Sequence, residues 1–490
     1  MGTRSGSSWC CWDGCRKMLC RDKETSKKPA DRPTSSEPKS SVEAEVPPVP
    51  KAPVIVEEGE GAAGAGGLSK KKEKRRLARK AREERKGEKK NQKHANALAS
   101  ALTTLSKALP AVEDSVVNDN NDDDEENGKL RARLCAAFSV KPRYRSLPMA
   151  FGAQTEEGHK LLQTVLLRPA KYDAKFLPQE YSLLHKLWSV LGGDCLKAGV
   201  VDVGAGNANC AVLAAALLGV TVICVERESP REELRAEMQL PPELRPRVIR
   251  YESDIEDFDT KQLKEVAGQF GLERIVLMAK HPCGIGVDRS IDCVQRLKRG
   301  SVEVVASIIA TCCCNKLTAD DNTESRVREY CTFYEQDVPA HFRGEQGQQN
   351  LERAVETLSR CSAWRTTAKS LGNGVLEEQL EWAELFEDSI QSFRLRRLED
   401  IFGASAEIRF APSQCTLQDR CLVSVQGTEL PAGVFAHEST QDPAFMQQLR
   451  KAAEELLKIS GPLDCRPRGL KSAKFGFDYT EDVYMEPTSD

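Results

Sequence analysis

Val200-Val201-Asp202-Val203-Gly204-Ala205-Gly206-Asn207-Ala208-Asn209 decides how this chain is read. An apolar run stops at a Gly-x-Gly turn and passes into the helix-like Cys210-Ala211-Val212-Leu213-Ala214-Ala215-Ala216-Leu217-Leu218, so the segment predicts strand, tight turn, helix. Glycines let the backbone turn sharply and approach a ligand, while the unpaired N–H groups of the following helical turn face the same space. Nucleotide-like cofactors bind at such turns, which also occur where nothing binds. Here Ala208 replaces the third glycine of a dinucleotide fingerprint, which argues against a pyrophosphate.

Strands and helices alternate downstream. Val220 to Glu226 is β-branched and apolar and ends in a carboxylate, the pattern of a second parallel strand. Glu226 is placed to accept hydrogen bonds from a cofactor ribose, although an ordinary surface glutamate would look the same. Val248-Ile249-Arg250-Tyr251 predicts a third strand, and Asp254 in the loop after it suits an adenine amino group. A fourth strand, Ile275 to Ala279, runs into Lys280-His281-Pro282-Cys283-Gly284, and a fifth, Val304 to Ala310, into Thr311-Cys312-Cys313-Cys314-Asn315-Lys316. Ligands of open α/β sheets sit beyond the carboxyl ends of the strands, so both tips should border the cofactor crevice. Consecutive cysteines on a strand alternate faces and do not converge on one metal; buried thiols serving as small apolar residues are expected, and no metal site is assigned.

Residues from about 319 to 380 are polar, with a helical patch at Leu351 to Leu358 and Trp364 and Trp382 as anchors, and are expected to form a substrate-facing insertion. Ser389 to Phe402 predicts a helix carrying Arg394 and Arg397. Ala406 to Phe410 and Cys421 to Val425 then suit an antiparallel closing pair, and a helix follows from Pro443 to about Ile459.

Upstream the composition changes. Residues 1–130 are dominated by Pro, Ser, Gly, Ala and charge, so a disordered extension is expected, with one basic helix from Lys70. That basic run suits RNA binding or nuclear targeting, or is simply a solvated tail; the acidic block Asp122 to Glu126 could fold back on it. Trp9-Cys10-Cys11-Trp12 with Cys15 and Cys20 lacks histidine and paired C-x-x-C spacing, so zinc is not expected there. The chain has 490 residues, 18 of them cysteine, and its formal net charge of −3 hides the segregated basic and acidic blocks. It shows no bilayer-spanning apolar run and no signal-peptide core, so reduced thiols or metal ligands in place of disulfides, no membrane partner and a cytoplasmic or nuclear location are expected. The expected organisation is the extension over 1–130, a Rossmann-like domain over 131–430 and a C-terminal helix and tail over 431–490.

This order of elements describes an α/β, doubly wound, Rossmann-like sheet of the kind found in S-adenosylmethionine-dependent methyltransferases, which ends in an antiparallel pair. S-adenosylmethionine has no phosphate, so its turn needs close backbone approach more than a full anion cradle. Asp202, Gly204, Gly206, Glu226 and Asp254 are the candidate cofactor residues.

Ala279-Lys280-His281-Pro282-Cys283-Gly284-Ile285-Gly286-Val287-Asp288 resembles the Lys-His-Leu-Cys-Gly-x-x-x-Asp signature of a eukaryotic tRNA ribose methyltransferase family, "Trm thirteen", which acts at position four of the acceptor stem. Cys312-Cys313-Cys314-Asn315-Lys316 occupies the place of its Cys-Cys-His-His-Arg-Cys run, and similarity extends over roughly residues 175–425. The chain departs from the family in lacking its amino-terminal Cys/His zinc modules, in Pro282 for Leu, and in having no histidine after Cys313. The resemblance implies transfer of a methyl group to a tRNA ribose 2′-hydroxyl. His281 is then the candidate general base, because a neutral imidazole acts near physiological pH. Lys280 would orient the hydroxyl or neutralise a phosphate, and Arg394 and Arg397 would contact phosphates. The alternatives are a methyltransferase of protein or small molecules, and a non-catalytic RNA-binding scaffold on a decayed methyltransferase fold.

Overall fold

The computed structural model describes residues 66–110, 122–140, 153–280, 282–311, 313–318, 323–367, 376–410, 419–435 and 442–466. Its first helices are α1 (Gly66–Ala108), α2 (Asp122–Phe138), α3 (Ala153–Val165) and α4 (Ala170–Val190). The strands of the main sheet are β1 (Ala198–Val203), β2 (Thr221–Glu226), β3 (Val248–Glu252), β4 (Arg274–Ala279), β5 (Glu303–Ala310), β6 (Gly403–Arg409) and β7 (Arg420–Gln426). Their order is β3-β2-β1-β4-β5-β7-β6, with β1 to β5 parallel and β7 antiparallel to both its neighbours.

Every residue of β1 and β2 is buried, as their near-continuous apolar sequences require of parallel strands covered on both faces. On one face Val200, Val222, Met278 and Ile308 pack against Leu184 and Leu187 of α4 and Leu213 of the helix after β1. That helix, α5 (Asn209–Leu213), widens into a π-turn at Ala214–Leu218 before Gly219, at φ +74°, ends it. On the other face Val201, Ile223 and Leu277 meet Leu263 of α6 (Thr260–Phe270) and Ile291 and Val294 of α7 (Gly286–Leu297).

The expected insertion is a helical assembly with its own core. Tyr330 and Tyr334 at α8 (Thr323–Phe333), Leu351 and Leu358 of α9 (Gly344–Thr367), and Trp382, Phe386 and Phe393 of α10 (Glu377–Phe402) form one buried cluster. Leu105 of α1 and Leu134 and Phe138 of α2 join it. By its contacts the chain divides within α1, after Lys90. The expected extension to residue 130 is therefore corrected: the described residues from Asn91 belong with the main body, because Leu98 and Leu105 supply a buried stripe. Similarly, α11 (Pro443–Ser460) is no appendage, since Phe445 and Leu449 lie in the sheet's core and Leu463–Asp464 pairs in parallel with Leu166–Leu167. The Trp9 to Cys20 cluster lies outside the described residues.

Candidate active site

The Gly-x-Gly turn joins β1 to α5 through three left-handed residues, Gly204 (φ +67°), Gly206 (φ +53°) and Ala208 (φ +60°). It is braced from three sides. The Gly204 N–H donates to the carbonyl of Val225 at 2.9 Å, and the Gly206 N–H to Glu226 Oε2 at 2.9 Å. Arg250 of β3 donates through Nη1 to the Gly206 carbonyl at 3.0 Å and is itself held by Glu237 at 2.5 Å. A Cβ at Gly204 or Gly206 would meet no atom within 4 Å. The turn thus borders open space, as close approach to a ligand requires.

Asp202 lies at the end of β1 beneath this turn and is 2% exposed. Its carboxyl is pushed up to about 7, chiefly by burial, with Lys280 and Arg250 pulling the other way. Among the described residues none hydrogen-bonds this carboxylate. A buried acceptor lacking a donor, beside a turn open to ligand, fits the amino group of S-adenosylmethionine. Ser253 N–H donates to the Glu226 carbonyl at 3.2 Å, which holds the tips of β2 and β3 together. Glu226 is buried, with Oε2 committed to the turn. Asp254, in the next loop, lies 3.8 Å from Arg227 and remains partly exposed.

At the tip of β4, Lys280 Nζ donates to Glu180 Oε1 at 2.6 Å and stands 5.1 Å from the Phe176 ring. The other oxygen of Glu180 accepts from Arg168 Nη1 at 2.7 Å, and Arg168 Nε donates to Asp173 at 3.1 Å. Glu180 is wholly buried; burial alone would raise its pKa, yet Arg168 and Lys280 hold it below the ordinary value. Sequence reasoning missed Glu180 and Arg168. The signal was there: Glu180 falls on the same helical stripe as Leu177, Tyr181 and Leu184, a carboxylate on a core-facing surface. His281, the expected base, lies outside the described residues.

Gly284, at φ +63°, lets the β4 tip approach the β5 tip: its N–H donates to the Cys313 carbonyl at 3.2 Å, and a Cβ would come within 2.8 Å of the Lys316 carbonyl carbon. Cys283 and Cys313 pack together, both buried. Cys314 accepts from Gln391 at 3.1 Å, and burial pushes its thiol up to about 12. Among the described residues no three His, Cys, Asp or Glu side chains are grouped to hold a metal.

Two expected nucleic-acid contacts are corrected. Arg394 is 0% exposed; its guanidinium grips Asp288, donates to the Gly284 carbonyl at 3.1 Å and cannot reach a phosphate. Arg397 donates to the Phe333 carbonyl at 3.0 Å and lies 3.5 Å from Asp337, so it ties α10 to the end of α8. Both sit on the inner side of a helix that the sequence could not orient.

A sheet closed by an antiparallel pair, with a glycine turn at its central strand and an acidic tip beside it, defines an S-adenosylmethionine-dependent methyltransferase. Residues 184–394 match the family model described as Methyltransferase TRM13. Over that segment, somewhat less than half of its length, the chain is similar to the TRM13 methyltransferase family. Among solved structures it is similar to a geranyl diphosphate methyltransferase in complex with GPP and sinefungin, at 13% identity over 60% of this chain and 94% of that one, with a TM-score of 0.26. It is also similar to the geranyl diphosphate C-methyltransferase from Streptomyces coelicolor A3(2), at 12% identity over 60% and 93% of the two chains, with a TM-score of 0.25. No curated protein matches the chain.

Proposed function

We propose that this methyltransferase modifies a ribose 2′-hydroxyl in the acceptor stem of tRNA. The observation that carries this is the Lys280 ammonium, anchored on buried Glu180 at the β4 tip and close enough to Asp202 to act on its charge. A fixed cation there suits an RNA substrate, whose hydroxyl it can orient and whose neighbouring phosphate it can neutralise. S-adenosylmethionine supplies a methyl group already activated on a sulfonium. The protein's task is then to align the acceptor oxygen and remove its proton. Asp202 would accept from the cofactor's amino group, Glu226 Oε1, which also accepts the Glu228 N–H at 3.4 Å, from its ribose, and Asp254 from its adenine. His281 is the general base to be tested.

Purified protein given methyl-labelled cofactor, with tRNA and total protein offered separately, tests the substrate class. Label is expected in tRNA, on ribose; label in protein alone would sink the proposal. Calorimetry with S-adenosylmethionine separates the non-catalytic scaffold, which would not bind it. His281→Ala should abolish turnover while leaving cofactor affinity within a few-fold, whereas normal turnover would remove His281 from the base role.

A further inference from the structure

The portion of α1 up to Lys90 carries a basic face that the methyltransfer site does not use. Arg75, Arg79, Arg82, Lys86, Lys89 and Lys90 recur at helical spacing, four and seven residues on and again a turn or two later, so they share one face over roughly 22 Å at 1.5 Å per residue. All are exposed. The acidic residue on the edge of that face, Glu83, is bonded to Arg79 at 3.0 Å in a solvated i,i+4 pair that costs little to open. Leu77, Ala81 and Glu88 lie towards the opposite side.

The stripe has no apolar partner face. A helix that lies on a membrane needs a broad hydrophobic side to sink into the acyl boundary, and this one offers there only Leu77 and small alanines. A protein-binding helix needs buried aromatic or aliphatic anchors, which are equally lacking. A phosphate backbone needs neither: it is recognised by a row of cations that displace its counterions.

We infer that this cationic stripe is an RNA-backbone grip, binding phosphates without reading sequence and holding the RNA substrate to the enzyme. The inference rests on the substrate being RNA, not on which nucleotide is methylated. Opening the Arg79–Glu83 pair would free Arg79 for a phosphate, and the remaining cations need no rearrangement.

The test uses the full chain, a tRNA transcript and no cofactor, with affinity read by fluorescence anisotropy across a salt series. The triple variant Arg75→Gln, Arg79→Gln, Arg82→Gln removes three stripe charges. The triple Arg76→Gln, Lys80→Gln, Arg85→Gln removes the same charge from positions off the stripe's centre. The stripe variant should weaken binding about tenfold or more near physiological salt and flatten the slope of log affinity against log salt by about two. The off-stripe variant should lose much less. Wild-type affinity in the stripe variant overturns the grip, and equal losses in the two triples overturn the face. Stripe-dependent binding to phosphatidylserine vesicles, with tRNA binding unchanged, overturns RNA as the partner. Because no cofactor is present, failure of methyl transfer to tRNA leaves this result standing on its own.

Discussion

The Arg394 guanidinium grips the Asp288 carboxylate at two points, Nη2 to Oδ2 at 2.6 Å and Nε to Oδ1 at 2.8 Å, with both side chains wholly buried. Tyr334 donates its hydroxyl to the same Oδ1 at 2.8 Å, and the other edge of Arg394 reaches the Gly284 carbonyl. Asp288 closes the Lys280-His281-x-Cys283-Gly284 segment, so α10 grips the loop that follows the β4 tip. Removing either charge leaves the other buried and uncompensated. Asp288→Ala and Arg394→Ala should each destabilise the fold by about 3–5 kcal/mol in urea unfolding. A loss below about 1 kcal/mol would mean that solvent reaches the pair.

Glu180 is the second buried acid that matters, because it connects Arg168 to Lys280. Glu180→Gln keeps the shape and removes the charge that fixes the ammonium. Turnover should fall about tenfold to a hundredfold, the scale of a small misplacement of a reacting group, while cofactor affinity changes by no more than a few-fold. Parallel losses in cofactor affinity and turnover would show instead that the whole crevice had shifted. Stability should fall too, and the sign of its pH dependence follows: Glu180 is held below its ordinary value, so its stabilisation is present above that value and is lost as pH falls through the folded one.

Asp202 behaves oppositely. Its folded pKa of about 7 lies above the unfolded value, so the native state binds the extra proton and its contribution to stability declines as pH rises from about 4 to about 7. Asp202→Asn should flatten that part of the stability profile and be more stable than the parent at pH 8, by an amount on the order of a few kcal/mol. Binding an ammonium next to Asp202 favours the carboxylate, so cofactor binding near pH 6.5 should release a proton. Calorimetry in buffers of different ionisation enthalpy reads this directly; no buffer dependence would place the cofactor's amino group elsewhere.

The sheet was legible in the sequence and the charge pairing was not, for one physical reason. Strands buried on both faces, such as β1 and β2, must be apolar throughout, and a run of that kind is visible locally. The glycine turn and the late antiparallel pair carry local signals too. Arg394 and Asp288 are 106 residues apart, and Glu180 and Lys280 are 100 apart; nothing local distinguishes a buried partner from a solvated charge. Arg394 and Arg397 therefore looked like an outward basic face, while Glu180 passed as an ordinary helical residue.

The glycines at the two tips separate folding from binding. Gly284 and Gly206 both have positive φ, at a cost of about 1–2 kcal/mol for any L-residue, but they face different surroundings. A Cβ on Gly284 would strike the Lys316 backbone, whereas one on Gly206 enters open space. Gly284→Ala should thus lower the melting temperature by the strain plus the displacement of the β5 tip, and carry cofactor affinity down with it. Gly206→Ala should lose only the strain, yet bind S-adenosylmethionine at least tenfold more weakly, because the methyl group occupies the volume the cofactor needs. If Gly206→Ala bound the cofactor as tightly as the parent, the open space beside the turn would not be where it sits.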